Sequence, residues 1–155
     1  MERKFTHLHL HTPYSLLDGF ATIEDTIKKA KEDGMDAVAI TDHGVMFGVV
    51  EFYKVALNYG IKPIIGCEVY VSYRTRFDKE NIDKRSYHLI LLAENNTGYQ
   101  NLIKLVSLGF VEGYYYKPRV DIDLLKSYSE GIIALSACLA GEVQQSLLNN
   151  NYEEA

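Results

Sequence analysis

The chain has no cysteine framework. Its two cysteines, Cys67 and Cys138, cannot staple a fold of 155 residues, which excludes the disulfide-built secreted class and makes a reducing cytoplasm the expected location. No excess of basic residues is present either. A net charge of −5 argues against a general nucleic-acid binder, so any DNA contact must be local. No apolar run approaches the roughly 18 residues of a membrane span, so no membrane partner is expected. The opening MERKFTHL lacks the apolar centre of a secretion signal. Internal repeats and low-complexity linkers are missing too. What remains, 47% apolar and 24% charged, is the composition of one globular domain over 1–155.

What is there is concentrated. Of five histidines, three stand in HLHLHTPYSLLDG at alternate positions, followed by an aspartate. The alternation over 5–12 predicts a strand, with His7, His9 and His11 on one face. Same-face neighbours lie about 6.6–6.8 Å apart along a strand, so His9 and His11 can reach one metal from its end. His7, about 13 Å from His11 on the same measure, is read as a surface or core residue.

Further segments alternate between strand and helix. Helices are expected at 22–33 (Thr22 capping, Gly34 stopping), 45–59, 97–108, 122–128 and from about 141. Strands are expected at 35–41, 62–72, 87–93 and 132–137, with polar loops at 73–86 and 113–121. Five alternations predict an α/β fold with a parallel sheet or barrel, whose functional groups gather at the carboxyl ends of strands. Donor residues stand at such places: Asp18 after the first strand, Asp42 and His43 in ITDHG, Glu68 in IIGCEVY and Cys138 in LSACLAG. These are N, O and S donors suited to zinc, manganese or iron. A salt bridge to a buried Lys or Arg would be the plain explanation of Glu68, but the nearby strands offer none. Cys67 points opposite to Glu68 and reads as a small buried hydrophobe. His88 opens its strand, which in a simple barrel lies away from the mouth.

HLHLHTPYSLLDG, TDHG, IIGCEVY, YHLILLAENNTGYQNL, YYYKPRVD and LSACLAGEV together resemble the PHP (polymerase and histidinol phosphatase) family, and within it the domain carried by bacterial replicative DNA polymerases. The resemblance implies part of a distorted (β/α)7 TIM-like barrel with up to three divalent metals, zinc or manganese, at its mouth. The implied ligands are His9, His11, Asp18, His43, Glu68, His88 and Cys138, with His9, His11 and His43 as catalytic histidines. It also implies metal-assisted phosphoester hydrolysis, as in 3′–5′ proofreading, with DNA and other replicase domains and subunits as partners. A free-standing phosphoesterase and a catalytically inert platform are the alternatives. The family's later Asp-x-His pair does not follow Cys138 here, so the segment is expected to be the first part of a barrel that lacks its last strands. Of the basic residues, Arg74, Arg76, Lys79, Lys84 and Arg85 are read as surface, diluted by Asp78, Glu80 and Asp83. Lys117 and Arg119 are read as meeting a phosphate of DNA or an adjoining domain.

Overall fold

In the computed structural model, which describes residues 5–155, one long strand organises the rest. The elements run α1 (Ile23–Glu32), β1 (Ala37–Ile40), α2 (Val49–Asn58), β2 (Lys62–Ser72), β3 (Ser86–Ala93), α3 (Asn96–Val111), β4 (Arg119–Val120), α4 (Ile122–Ser127), β5 (Ile132–Leu135) and α5 (Glu142–Leu148). The polar opening at Met1 to Lys4, read as no secretion signal, lies outside the described residues. No described helix is long and apolar enough to cross a membrane.

Eleven residues long, β2 is buried without a break from Gly66 to Tyr70, and the alternate facing of its side chains lets one strand serve two environments. Cys67 and Val69 join an apolar cluster with Leu102 and Leu105 of α3 and Leu124 of α4. A second cluster packs α1 and α2 on β1 through Ile27, Val38, Ile40 and Phe52. On the sheet's other face Ala39, Ile90 and Leu92 make a small apolar floor. Each fully buried Ile, Leu or Phe contributes about 1.5–3 kcal/mol. The expected cap is present, Thr22 accepting from the Asp25 N–H, and the structure adds two more, Asn95 accepting from Gly98 and Asp121 from Leu124. Helices α2 and α3 differ from expectation by about one turn, α2 starting at Val49 and α3 running on to Val111.

The sheet is mixed, not parallel. Its order is β1-β2-β3-β5, with β4 on β2. β1 and β4 run parallel to β2, but β3 is antiparallel to both β2 and β5. The cause is the connection between β2 and β3. A parallel return needs a crossover, usually an α-helix, whereas 73–85 holds only a 3₁₀ turn at Ile82–Lys84.

Three other expectations are corrected. Residues 5–12 form no regular strand: the segment bends at 8–9 and bonds to β1 through Ala39 N–H to His7 O and Thr41 N–H to Leu10 O. The loop at 113–121 contains β4, which registers Tyr70 against Arg119. Of the basic residues read as surface, Arg74, Lys79, Lys84 and Arg85 are exposed, but Arg76 is half-buried, and both Arg74 and Arg76 are held in ion pairs. Arg74 pairs with buried Asp83, holding that carboxyl down at about 2, and Arg76 bridges Glu112 and Asp121.

Arg119 is 1% exposed. Its guanidinium donates to the carbonyls of Gly113, Asp83, Arg76 and Asp78 at 2.8–3.1 Å. Burial lowers its pKa, and the carbonyl fork satisfies its donors. A group so enclosed is no phosphate contact, contrary to the expectation; it pins the 73–85 loop to β4. We predict that Arg119→Met, which strands these carbonyls, costs about 3–5 kcal/mol by urea unfolding. Arg119→Lys recovers little of it, because an ammonium lacks the fork. A cost under about 1 kcal/mol for Arg119→Met would contradict the pinning role.

Candidate metal centre

Glu68 has no exposed side-chain surface, and among the described residues no Lys or Arg touches it. Histidines surround it instead. His9 Nε2 lies 2.7 Å and His11 Nε2 2.9 Å from Oε2, while His88 Nδ1 lies 2.7 Å from Oε1. His43 Nδ1 stands 3.5 Å from Oε2. Burial alone would push the Glu68 carboxyl up, but the bonds from His11, His88 and His9 and the nearby His43 hold it far below the usual carboxylate range.

The fold explains how each histidine arrives. β2 projects Glu68 away from Cys67 and the helices, toward the apolar floor. His43 follows β1 and pairs with Glu68 as an isolated parallel bridge. The antiparallel return of β3 sets His88 opposite Tyr70, near the carboxyl end of β2. This resolves the difficulty of His88: it opens β3, and β3 starts at the mouth. His9 and His11 arrive on the segment that bends at 8–9, with Nε2 atoms 3.1 Å apart.

Behind His11 stands a polar support made by Ser15 and by Asp42, which the sequence offered as a donor at a strand end but which joins none of the donor sets. The Ser15 hydroxyl donates to Asp42 at 2.6 Å and accepts from the His43 N–H. Its one proton is thereby committed, so the 3.0 Å contact with His11 must be donated by Nδ1–H. Neutral His11 therefore carries its lone pair on Nε2, the atom facing Glu68 and His9. Asp42, 1% exposed, is held in turn by the N–H and hydroxyl of Thr12. A ring fixed through its second nitrogen is the arrangement that orients histidine ligands.

Asp18 reaches His43 Nε2 at 2.7 Å from an exposed loop, and this bond draws its carboxyl below the usual range. Cys138 is exposed, with Sγ 3.6 Å from His88 Nδ1 and 3.8 Å from Glu68 Oε1. All seven sequence-derived candidates thus come together. His7 does not; its ring packs on Phe5.

Donor sets His9–His11–Glu68, His11–Asp18–His43 and His43–Glu68–His88 each have their ligand atoms within 4.8 Å of one another. They share members, so the arrangement could hold more than one cation. Two features fit a cation in particular. His43 Nδ1 is buried without a hydrogen-bond partner among the described residues. The Nε2 atoms of His9 and His11 point at one carboxylate oxygen, where either a proton or a metal must sit between them.

Residues 7–155 match the PHP domain model. Curated relatives include DNA polymerase III subunit alpha of Borreliella burgdorferi (53% identity over 154 residues), Treponema pallidum (52% over 153) and Thermus aquaticus (48% over 157). These alignments cover 97–98% of this chain but only 13% of each relative. A looser likeness, TM-score 0.49 at 25% identity over 66% of this chain and 32% of the other, is to an amidohydrolase from Chromobacterium violaceum.

Without metal, the Glu68–His11 pair couples stability to pH. Burial works to lower the His11 pKa, but Glu68 outweighs it and raises His11 above 6.5. Its stabilisation is full below 6.5 and is lost as pH rises through the folded value. Glu68 is depressed below 4.5, so its contribution is present above 4.5 and is lost as pH falls through the folded value. We therefore predict that the chelator-treated protein is most stable between these two limits. Urea unfolding across pH 5–9 should show wild type losing stability above pH 6.5, with the loss reduced in His11→Asn. Parallel profiles for the two proteins would refute the coupling.

Proposed function

The chain belongs to the PHP domain family, and on that premise we propose that it is a metal-binding PHP domain of a replicative DNA polymerase alpha subunit, serving metal-dependent phosphoester hydrolysis in the whole protein. The observation that carries the reading is the convergence of four imidazoles on the buried, otherwise unpaired Glu68. The polymerase assignment rests on relatives about half identical to this chain, which spans 13% of their length. In such a protein the partners are DNA and the other domains and subunits of the replicase, and 3′–5′ proofreading is the use the hydrolysis would serve.

His9, His11, His43, Glu68 and His88 would hold the ions, with Asp18 and Cys138 completing the set. Imidazole and carboxylate suit both zinc and manganese, and the Cys138 thiolate favours zinc. A bound divalent ion neutralises phosphate charge and lowers the pKa of a coordinated water. The protein's own part is to keep the donors aimed. Ser15 fixes the His11 tautomer, Asp42 fixes Ser15, and Glu68 supplies negative charge that keeps the site attractive to cations. Asp18, on the exposed side, is the donor best placed to yield to an incoming substrate.

Metal analysis after dialysis tests the reading. Wild type is expected to retain zinc or manganese and to melt higher with the ion than with chelator. His9→Ala with His11→Ala should lose most of the bound metal. Cys138→Ser should weaken zinc binding by about tenfold, the scale of a lost soft ligand at ~1.4 kcal/mol, and manganese binding far less. Metal near zero in wild type, or unchanged in the double variant, would overturn the proposal.

A further inference from the structure

The YYYKPRVD stretch runs beside the candidate centre, with an exposed lysine at position 117. The Lys117 ammonium lies 4.3 Å from the Tyr70 ring centroid. That ring in turn packs nearly parallel to His43, 6.0 Å away at 12°, and edge-on to His88 at 5.1 Å. One aromatic ring therefore lies against both the lysine and two members of the cluster. Lys117 is exposed and meets no carboxylate among the described residues. Three nearby arginines are spent: Arg74 on Asp83, Arg76 on Asp121 and Glu112, Arg119 on backbone carbonyls. Lys84, 5.2 Å from the Tyr116 ring centroid, and exposed Arg85 remain, but neither has a contact with a ring of the cluster as Lys117 has through Tyr70.

The position of Lys117 is built. Two residues on, Arg119 is buried and registered against Tyr70. Tyr115 N–H bonds to the Lys117 carbonyl, and Tyr116 adopts φ +62°, which turns the chain between them. Gly44, directly after His43, has φ +64°, and a Cβ there would stand 2.9 Å from Pro118 and 3.0 Å from Tyr70. Only a glycine lets the His43 turn close on this segment.

We propose that Lys117 is the phosphate-receiving residue of this site, seated by Tyr70, and that it takes a backbone phosphate of a substrate strand next to the one at the cluster. The inference rests on the metal-centre reading for what lies beside it. The chemistry is that of a point charge on a flexible stem: an ammonium draws any phosphate oxygen without demanding one orientation, which suits successive phosphates of a moving strand. Tyr70 acts as a positioning residue; its ring holds the ammonium and keeps the charge beside the cluster.

The test is anisotropy of a fluorescein-labelled thymidine tetranucleotide titrated with the intact protein at several salt concentrations, with metal content measured on the same samples. Lys117→Met should weaken binding about 5- to 10-fold at low salt and reduce the slope of log K against log salt by about 0.7, one single-strand phosphate contact. Lys117→Arg should keep both, and metal content should match wild type in each variant. Inorganic phosphate, the same chemistry without a strand, should displace the probe only in large excess. An unchanged salt slope in Lys117→Met, or a wild type that does not bind the probe, overturns the proposal. Displacement by equimolar phosphate overturns the assignment to a strand. A reduced slope in a protein that holds no metal supports the role of Lys117 while refuting the metal-centre reading, so the two failures are distinct.

Discussion

A carboxylate without exposed surface must have its charge met inside the protein. Glu68 meets that demand with imidazoles rather than with an ammonium or guanidinium, and the choice shapes everything nearby. A Lys or Arg partner would close the account permanently, because neither readily gives up its proton. Imidazoles give theirs up near neutral pH. The same five side chains can therefore exist as a protonated hydrogen-bonded cluster or, with the protons released, as a ligand set for a cation. Metal binding and proton release are one equilibrium at such a site.

The scaffold is arranged around this choice. β2 is long enough to anchor helices with Cys67 and Val69 while presenting Glu68 and Tyr70 on its other face. Its edges do different work: β1 and the turn after it deliver His43, and the antiparallel β3 delivers His88. The 73–85 loop that makes the antiparallel return is irregular, and irregular backbone leaves carbonyls without partners. Arg119 supplies donors to three of them, at Arg76, Asp78 and Asp83, and a fourth bond to Gly113. A residue that reads as a DNA contact thus serves the loop whose geometry brings His88 to the mouth.

Much of this was legible in the sequence where periodicity and chemistry coincide. Strand 62–72 could be read to the residue, because opposite facing of Cys67 and Glu68 separates core from site. The capping residue Thr22 marks a helix start for the same reason it stabilises it. Strand direction was not legible: no side-chain pattern encodes it, and only the missing helix between 72 and 86 hints at the reversal. Alternating histidines at 7, 9 and 11 imitate a strand, yet the segment bends at 8–9 and joins no sheet ladder as a regular strand. Ser15 carries no spacing signal and Asp42 reads as a metal donor; their part in orienting His11 is determined only by the assembled geometry.

Glu68 and its imidazoles are, on this account, a cation site and not a buried polar network complete in itself. X-ray absorption at the metal edge on protein loaded with zinc at neutral pH tests that directly. The account predicts a first shell of nitrogen and oxygen at about 2.0–2.2 Å with the outer scattering of at least two imidazoles, and loss of that imidazole signal in His9→Ala with His11→Ala. A shell of water oxygens alone, or an imidazole signal that survives the double substitution, would contradict it.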